Sequence, residues 1–253
     1  MTKDELILYN RFKELASIAD VQNRCTFSRF LNLNEYQVFL STINEISYVD
    51  YCLWGGYKEA ERRIVVFFPK GFSREIQYPC SCLKISPLQA KFSDQLTHRD
   101  YLGAILNLGI DRSMIGDIVI QNPDAYLFCE DTIASFIVSE CTRIKHTTIQ
   151  VCETSLMEIS DFTKSFLEKT GFIASFRLDA LVAFACGYSR SESAKRIKEG
   201  LVYCNHKQIL SPSFELKPDT IFSVKGVGRF LFPSQEMKTS KKGRLYIKIQ
   251  EYK

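Results

Sequence analysis

The segment SRSESAKRIKEG, Ser189 to Gly200, carries Arg190, Lys195, Arg196 and Lys198 with Glu192 and Glu199 among them. Cationic side chains and hydroxyls at such spacings are what contact with phosphate oxygens requires, provided they face one way. At about 100° per residue counted from Arg190, Ser191, Lys195 and Lys198 cluster at about 80–140°. Glu192, Arg196 and Glu199 share the opposite flank, where Glu192 and Arg196 stand four apart and can pair. One flank is therefore charge-balanced, and the other is basic with a hydroxyl and no acid. Arg190 opens the helix, where free backbone N–H groups and the positive dipole end also favour an anion.

Further basic residues extend this candidate surface. Arg177 starts the preceding helix, Lys207 follows the next strand, and Arg229 closes the basic region. Each has a plainer reading. Arg177 pairs with Asp179 or Glu199, Lys195 and Lys198 are simply solvated, and Arg229 closes a sheet edge. Ser189 or Ser191 caps the helix, and Gly200 ends it in a left-handed conformation. Ala194 and Ile197, within about 40° of Arg190, are expected to face the neighbouring helix.

Metal and nucleophile chemistry find little material. The nine cysteines are odd in number and irregularly spaced, and Cys80 and Cys82 form CxC rather than CxxC. With His98, His146 and His206 the only histidines, no zinc set is complete, so no metal and no cofactor is expected. Reduced thiols in a reducing cytosol are the simpler expectation.

Elements must hold these residues in place. Residues 3–20 put Leu6, Ile7, Tyr9, Phe12, Leu15 and Ile18 at helical spacing. A second helix is expected at 34–44, capped by Asn34. ISYVDYCLWGGY and RRIVVFFP then read as strands, making an N-terminal α/β domain over 1–77. The next stretch reads β-α-β-β-α-β over 78–155: CSCLKISPL, a helix to Gly109, IGDIVIQ, AYLFC, a helix over 131–143, and TTIQVCE. This is the ferredoxin-like order, shared with RRM-like RNA-binding modules. Its third strand carries Tyr126 and Phe128, but the glycines and basic residue of the RRM signature are missing, so both read as packing internally. Residues 156–174 read as a connector, amphipathic over Phe162 to Gly171. The remainder, 175–253, reads as two helices followed by a small sheet. Leu178, Leu181, Val182 and Ala185 stripe the first helix, which Gly187 closes.

Composition agrees with a globular α+β multidomain protein, 45% hydrophobic and 25% charged. The longest apolar runs are too short to span a membrane, and the N-terminus has no signal-peptide core, so a cytoplasmic protein is expected. Net charge is unevenly spread. From Gly171 onward there are 15 Lys+Arg against 7 Asp+Glu, whereas the first 170 residues hold 18 against 22. A basic C-terminal part on a mildly acidic body suits a polyanion.

The segment RLDALVAFACGYSRSESAKRIKEGLVYCNHKQILSPSFELKPDTIFSVKGVGRF resembles the S4 RNA-binding domain through Arg177-Leu178-Asp179, Ser189-Arg190, Ala194, Ile197, Gly200, Val202, Asn205, Pro212, Asp219, Gly226, Gly228 and Arg229. WGGYKEAERRIVVFFP, HRDYLGAILNLGIDRSMIGDI and KKGRLYIKIQEYK are similar to the YlmH family of bacterial S4-domain proteins. That resemblance implies an N-terminal unit, an RRM-like middle domain and a C-terminal S4 domain. It implies partners as well: rRNA of the large ribosomal subunit, with tRNA bearing a nascent chain as a further candidate. Quality control of stalled chains and a cell-division gene neighbourhood are the implied settings.

The leading expectation is a monomeric, non-enzymatic RNA-binding factor, with Arg177, Ser189, Arg190, Ser191, Lys195, Lys198, Lys207 and Arg229 as its RNA-binding residues. KTSKKG, Lys238 to Gly243, superficially resembles a synthetase lysine loop but lacks a partner motif, and Lys242-Gly243 reads better as a hairpin turn. One alternative is an RNA-modifying enzyme using Arg62, Arg63, Glu59 and Glu61, or Asp100 and Asp111. Another is an interaction adaptor in cell division.

Overall fold

The computed structural model describes residues 1–155, 166–234, 239–240 and 243–252. The described residues up to Ser155 form one compact unit, and those from Phe166 onward form a second.

In the first unit, α1 (Lys3–Gln22) starts with a capping box. Thr2 Oγ1 accepts from the Glu5 N–H and Glu5 accepts from the Thr2 N–H. Its buried face is Phe12, Leu15, Ala16 and Ala19; the expected Leu6 and Ile7 are exposed, because α1 packs inward only through its later turns. β1 is Thr26–Phe27. α2 spans Leu33–Thr42, one residue earlier than expected at its start. Its cap is Asn32, not Asn34: Asn32 Oδ1 accepts from the Asn34 and Glu35 N–H groups, and Glu35 returns the bond. β2 (Val49–Trp54) and β3 (Ile64–Pro69) complete a three-stranded sheet of order β1-β3-β2, against which both helices pack through Phe12, Phe39 and Phe67.

The chain continues through β4 (Ser81–Pro87), α3 (His98–Leu106), β5 (Ile115–Gln121), β6 (Asp124–Cys129), α4 (Asp131–Glu140), β7 (Arg143–Ile144) and β8 (Thr147–Thr154). The sheet order is β5-β6-β4-β8-β7, the ferredoxin-like arrangement with one added edge strand. Helix α4 stops at Glu140, short of the expected Arg143. Cys141 leaves helical geometry at ψ 81°, and Arg143 enters β7 opposite Thr148.

Each face of this sheet has its own core. Leu83, Ile85, Leu127 and Ile118 lie against Tyr101, Ile105, Ala134 and Ile137 of α3 and α4. The opposite face, which an RRM would offer to bases, is covered by the N-terminal segment. Phe128 is fully buried and stacks on Tyr57 with ring centroids 5.0 Å apart and planes 27° from parallel, and Tyr126 packs against the same cluster. Gly56 makes this stack possible: at φ +95° its added Cβ would lie 2.1 Å from Phe128 Cδ1. Beside the stack, Asp117 accepts from Tyr57 OH at 2.7 Å and from the Glu61 and Arg62 N–H groups at 2.7 and 3.1 Å. The buried Arg62 guanidinium donates to the carbonyls of Ile115, Phe30 and Arg112.

The second unit opens with β9 (Phe166–Ile173), where a connector was expected; residues 156–165 of that expectation lie outside the described residues. α5 is Leu178–Cys186 and α6 is Arg190–Lys198. β10 (Val202–Cys204), β11 (Lys207–Gln208), β12 (Thr220–Val224), β13 (Gly228–Phe232) and β14 (Leu245–Tyr252) follow, giving one sheet of order β11-β10-β12-β13-β14-β9. The expected stripe of Leu178, Leu181, Val182 and Ala185 is buried on it, and Gly187 closes α5 at φ +71°. Asn205 and His206, both at positive φ, turn β10 into β11 as a two-residue hairpin loop. Asp219 accepts from the Ser234 N–H and hydroxyl, fixing the entry to β12.

Candidate RNA-binding surface

The surface is built on α5 and α6, which lie together over one face of the second sheet. Ser189 caps α6: its Oγ accepts from the Glu192 N–H at 3.1 Å and lies 2.9 Å from Ser191 Oγ. That hydroxyl is committed to the fold, while Ser191 stays exposed. The buried face of α6 is Ser193 and Ile197, with Ala194 only half-buried. The helix is thus rotated away from the expected Ala194–Ile197 face. A buried serine is tolerated because its Oγ donates to the Ser189 carbonyl at 2.9 Å. Gly200 takes φ +73° as expected, and Gln208 crowds its α-carbon.

Arg196 pairs with Glu192 at 2.9 Å, and its guanidinium lies 4.6 Å from the Tyr188 ring centroid, so this flank is internally satisfied. On the other flank Ser191, Lys195 and Lys198 are exposed, and among the described residues neither lysine has an ion-pair partner. The two lysines of the stripe read from the helical projection are therefore unpaired among the described residues, although Glu199 stands four positions after Lys195.

Arg190 differs from expectation. Its Nη2 lies 2.6 Å from Asp179 Oδ2, and Arg177 reaches the same carboxylate with Nε and Nη2 at 3.3 Å. Asp179 is nearly buried, whereas the two arginine side chains are 49% and 45% exposed. Burial is the largest influence on this carboxyl and pushes its pKa up, but the hydrogen bonds and charges of Arg190 and Arg177 hold it below the ordinary value. Each guanidinium has five N–H donors. A shared carboxylate uses few of them, and it fixes two forks side by side with donors to spare. Arg190 is thus held by an internal acid rather than left wholly to an outside anion.

The remaining candidates diverge. Lys207 is exposed and sits opposite Cys204, whose side chain is buried on the helix side. Arg229 is on the other face of the sheet: its neighbours Phe230 and Gly228 bracket it, Phe230 is buried beneath the helices, and Arg229 lies 4.9 Å from the Tyr252 ring. Spacing did not single out Lys225, an exposed lysine whose N–H bonds to the Leu201 carbonyl at 2.8 Å, next to the end of α6. Its only signal was its place in a turn before Gly226, which says nothing of proximity to α6.

Several polar groups of the enzymatic alternative make bonds within the fold. Arg62 holds carbonyls, Asp111 caps the turn at Ser113, and Asp100 accepts from Lys145 and from Thr97, which bring it down to about 2. Among the described residues no group of three His, Cys, Asp or Glu is placed to hold a metal ion. No helix among them is long and apolar enough to cross a membrane.

Comparison with known proteins finds matches in two stretches of the chain. Residues 75–158 match the family described as "Putative RNA-binding domain in YlmH", and residues 176–221 match the S4 domain. The chain is 28% identical over 242 residues to "Ribosome-associated protein quality control protein P2" of Bacillus subtilis (strain 168), covering 94% of this chain and 92% of that protein. It is also similar to the solved "Cell division protein ylmH from Streptococcus pneumoniae", with a TM-score of 0.52 and 19% identity over 64% of this chain and 97% of that one. At that identity the likeness is one of fold.

Proposed function

Because the chain belongs to the YlmH family of S4-domain proteins, we propose that it is a non-enzymatic factor that docks on rRNA of the large ribosomal subunit and serves quality control of stalled nascent chains. The observation that carries this reading is that Ser191, Lys195 and Lys198 are exposed on α6, with both lysines unpaired among the described residues, on the same helix as Arg190 of the Asp179-held arginine pair. The Bacillus relative, named as a ribosome-associated quality control protein, supports the setting.

In this mechanism binding itself is the work. Lys195 and Lys198 neutralise phosphates and release their counterions, while Arg177 and Arg190 present planar N–H forks that fix orientation. On this reading the protein acts as a monomer in the cytoplasm, and a tRNA bearing a nascent chain is a second RNA within its reach.

Co-sedimentation of the purified chain with large subunits tests it. The double substitution Lys195→Ala/Lys198→Ala should weaken binding about tenfold or more, and should flatten the dependence of log K on log salt by about 1.5. Both lysines are exposed, so the variant should stay folded. Undiminished binding with an unchanged salt slope would overturn the proposal.

A further inference from the structure

The second unit has a face that the helices leave bare. Alternation along β12, β13, β14 and β9 sends Phe222, Phe230, Ile247, Ile249 and Ile173 toward α5 and α6. Their neighbours in sequence point the other way. The register places Tyr252 opposite Phe166, Lys248 opposite Thr170, and Tyr246 opposite Phe172 on that outer face.

Its aromatics form two groups on the same strand pair. Phe166 and Tyr252 meet edge to face at 5.0 Å, with the Arg229 guanidinium 4.9 Å from the Tyr252 ring. Six residues along each strand, Phe172 and Tyr246 meet edge to face at 5.7 Å, and Phe172 is 50% exposed. The groups are therefore about 20 Å apart, a run rather than a single pocket. The one acid between them, Glu168, is bonded to Lys248 and Gln250. All of these outer-face residues lie outside the stretch that matches the S4 domain.

We propose that this outer sheet face is a second RNA-binding surface, a stacking platform for unpaired nucleotides. Aromatic rings interleaved with a guanidinium are the chemistry that holds single strands without reading sequence. The charge of the region fits a polyanion: 15 Lys+Arg stand against 7 Asp+Glu from Gly171 onward. An apolar protein partner would instead have to cover Arg229 and Lys248. The proposal shares its ligand class with the docking surface on α6 but uses different residues on the opposite face of the sheet.

The experiment uses the full chain with two probes, a fluorescent oligouridine and a fluorescent RNA duplex, at one salt concentration. Phe172→Ser/Tyr246→Ser should weaken oligouridine binding about fivefold or more and leave duplex and large-subunit binding unchanged. Tyr252→Ala should do the same. Lys195→Ala/Lys198→Ala should show the opposite pattern, so failure of one surface is distinguishable from failure of the other. If Tyr252→Ala does not fold, Tyr252→Leu, which keeps bulk without the aromatic face, replaces it. Oligouridine binding unchanged in the Phe172/Tyr246 pair would overturn the proposal, as would 4-thiouridine crosslinks confined to α6.

Discussion

Asp179 lies nearly buried beneath two arginines, and its charge is what keeps both side chains in place. Its pKa is lowered in the folded protein, so its contribution is present in full above the unfolded carboxylate value, about 4, and is lost as pH falls through the lower folded value. Asp179→Asn should therefore remove part of the acid sensitivity of unfolding below about pH 4, and should weaken RNA binding at neutral pH by freeing the forks. Parallel pH titrations of stability and affinity check both. At Arg62 the demand is different: one buried guanidinium donates to three carbonyls, of Phe30 and of Arg112 and Ile115 at the entry to β5. Arg62→Met should cost about 3 kcal/mol or more, because those acceptors lose a charged donor in a dry site. Trp54, the one tryptophan and part of the same cluster, reports this in urea by its fluorescence. The pairing of Arg177 with Asp179 was open to a reading of the sequence; that of Arg190 with Asp179 was not, since it depends on how α5 and α6 cross.

At the scale of elements, α6 separates stability from binding. Ser189→Ala removes the cap and should cost about 1 kcal/mol, whereas Lys195→Ala/Lys198→Ala should change stability by no more than about 0.5 kcal/mol. Thermal melts of both set beside co-sedimentation test that separation. The helix could be read from sequence because its capping serine, its Glu192–Arg196 pair and its closing glycine are all local. Its rotation could not, because a buried Ser193 runs against every hydropathy rule and is decided by a backbone bond. The start of α2 was ambiguous for a related reason. Asn32 with Glu35 and Asn34 with Gln37 both fit a capping box, and packing of the first turn selects the earlier pair. β9 was missed because its inward positions include Lys169 and Gly171. Lys169 is satisfied by the Ala185 carbonyl, by Glu251 and by the Phe230 ring, all supplied by other elements.

For the molecule as a whole, the middle sheet shows how an RNA-binding topology can lose its usual face. The order of elements and the absence of the RRM signature were both legible, and the burial of Phe128 agrees with that absence. What covers Phe128 was not legible, since Tyr57 and Gly56 meet it only once the first two segments fold together. Phe128→Ala should cost about 3–5 kcal/mol, as a large buried ring removed from a closed core. RNA affinity per folded molecule should stay unchanged, measured at a temperature where the variant remains native.

The pairing of β9 with β14 also sets an order of events. Among the described residues β9 has β14 as its one neighbour in the sheet, and the Glu168 to Gln250 pair alone spans 82 residues. During synthesis β9 emerges first and waits, with an unpaired edge, until nearly the whole second unit has followed it. Pairing across so long a separation is expected to close late in folding, after the more local β12–β13 hairpin, which pulse-labelling hydrogen exchange during refolding checks. The outer aromatic face needs both strands of this pair, so a chain ending before Leu245 should have no stacking platform, whatever RNA contacts its remaining residues make.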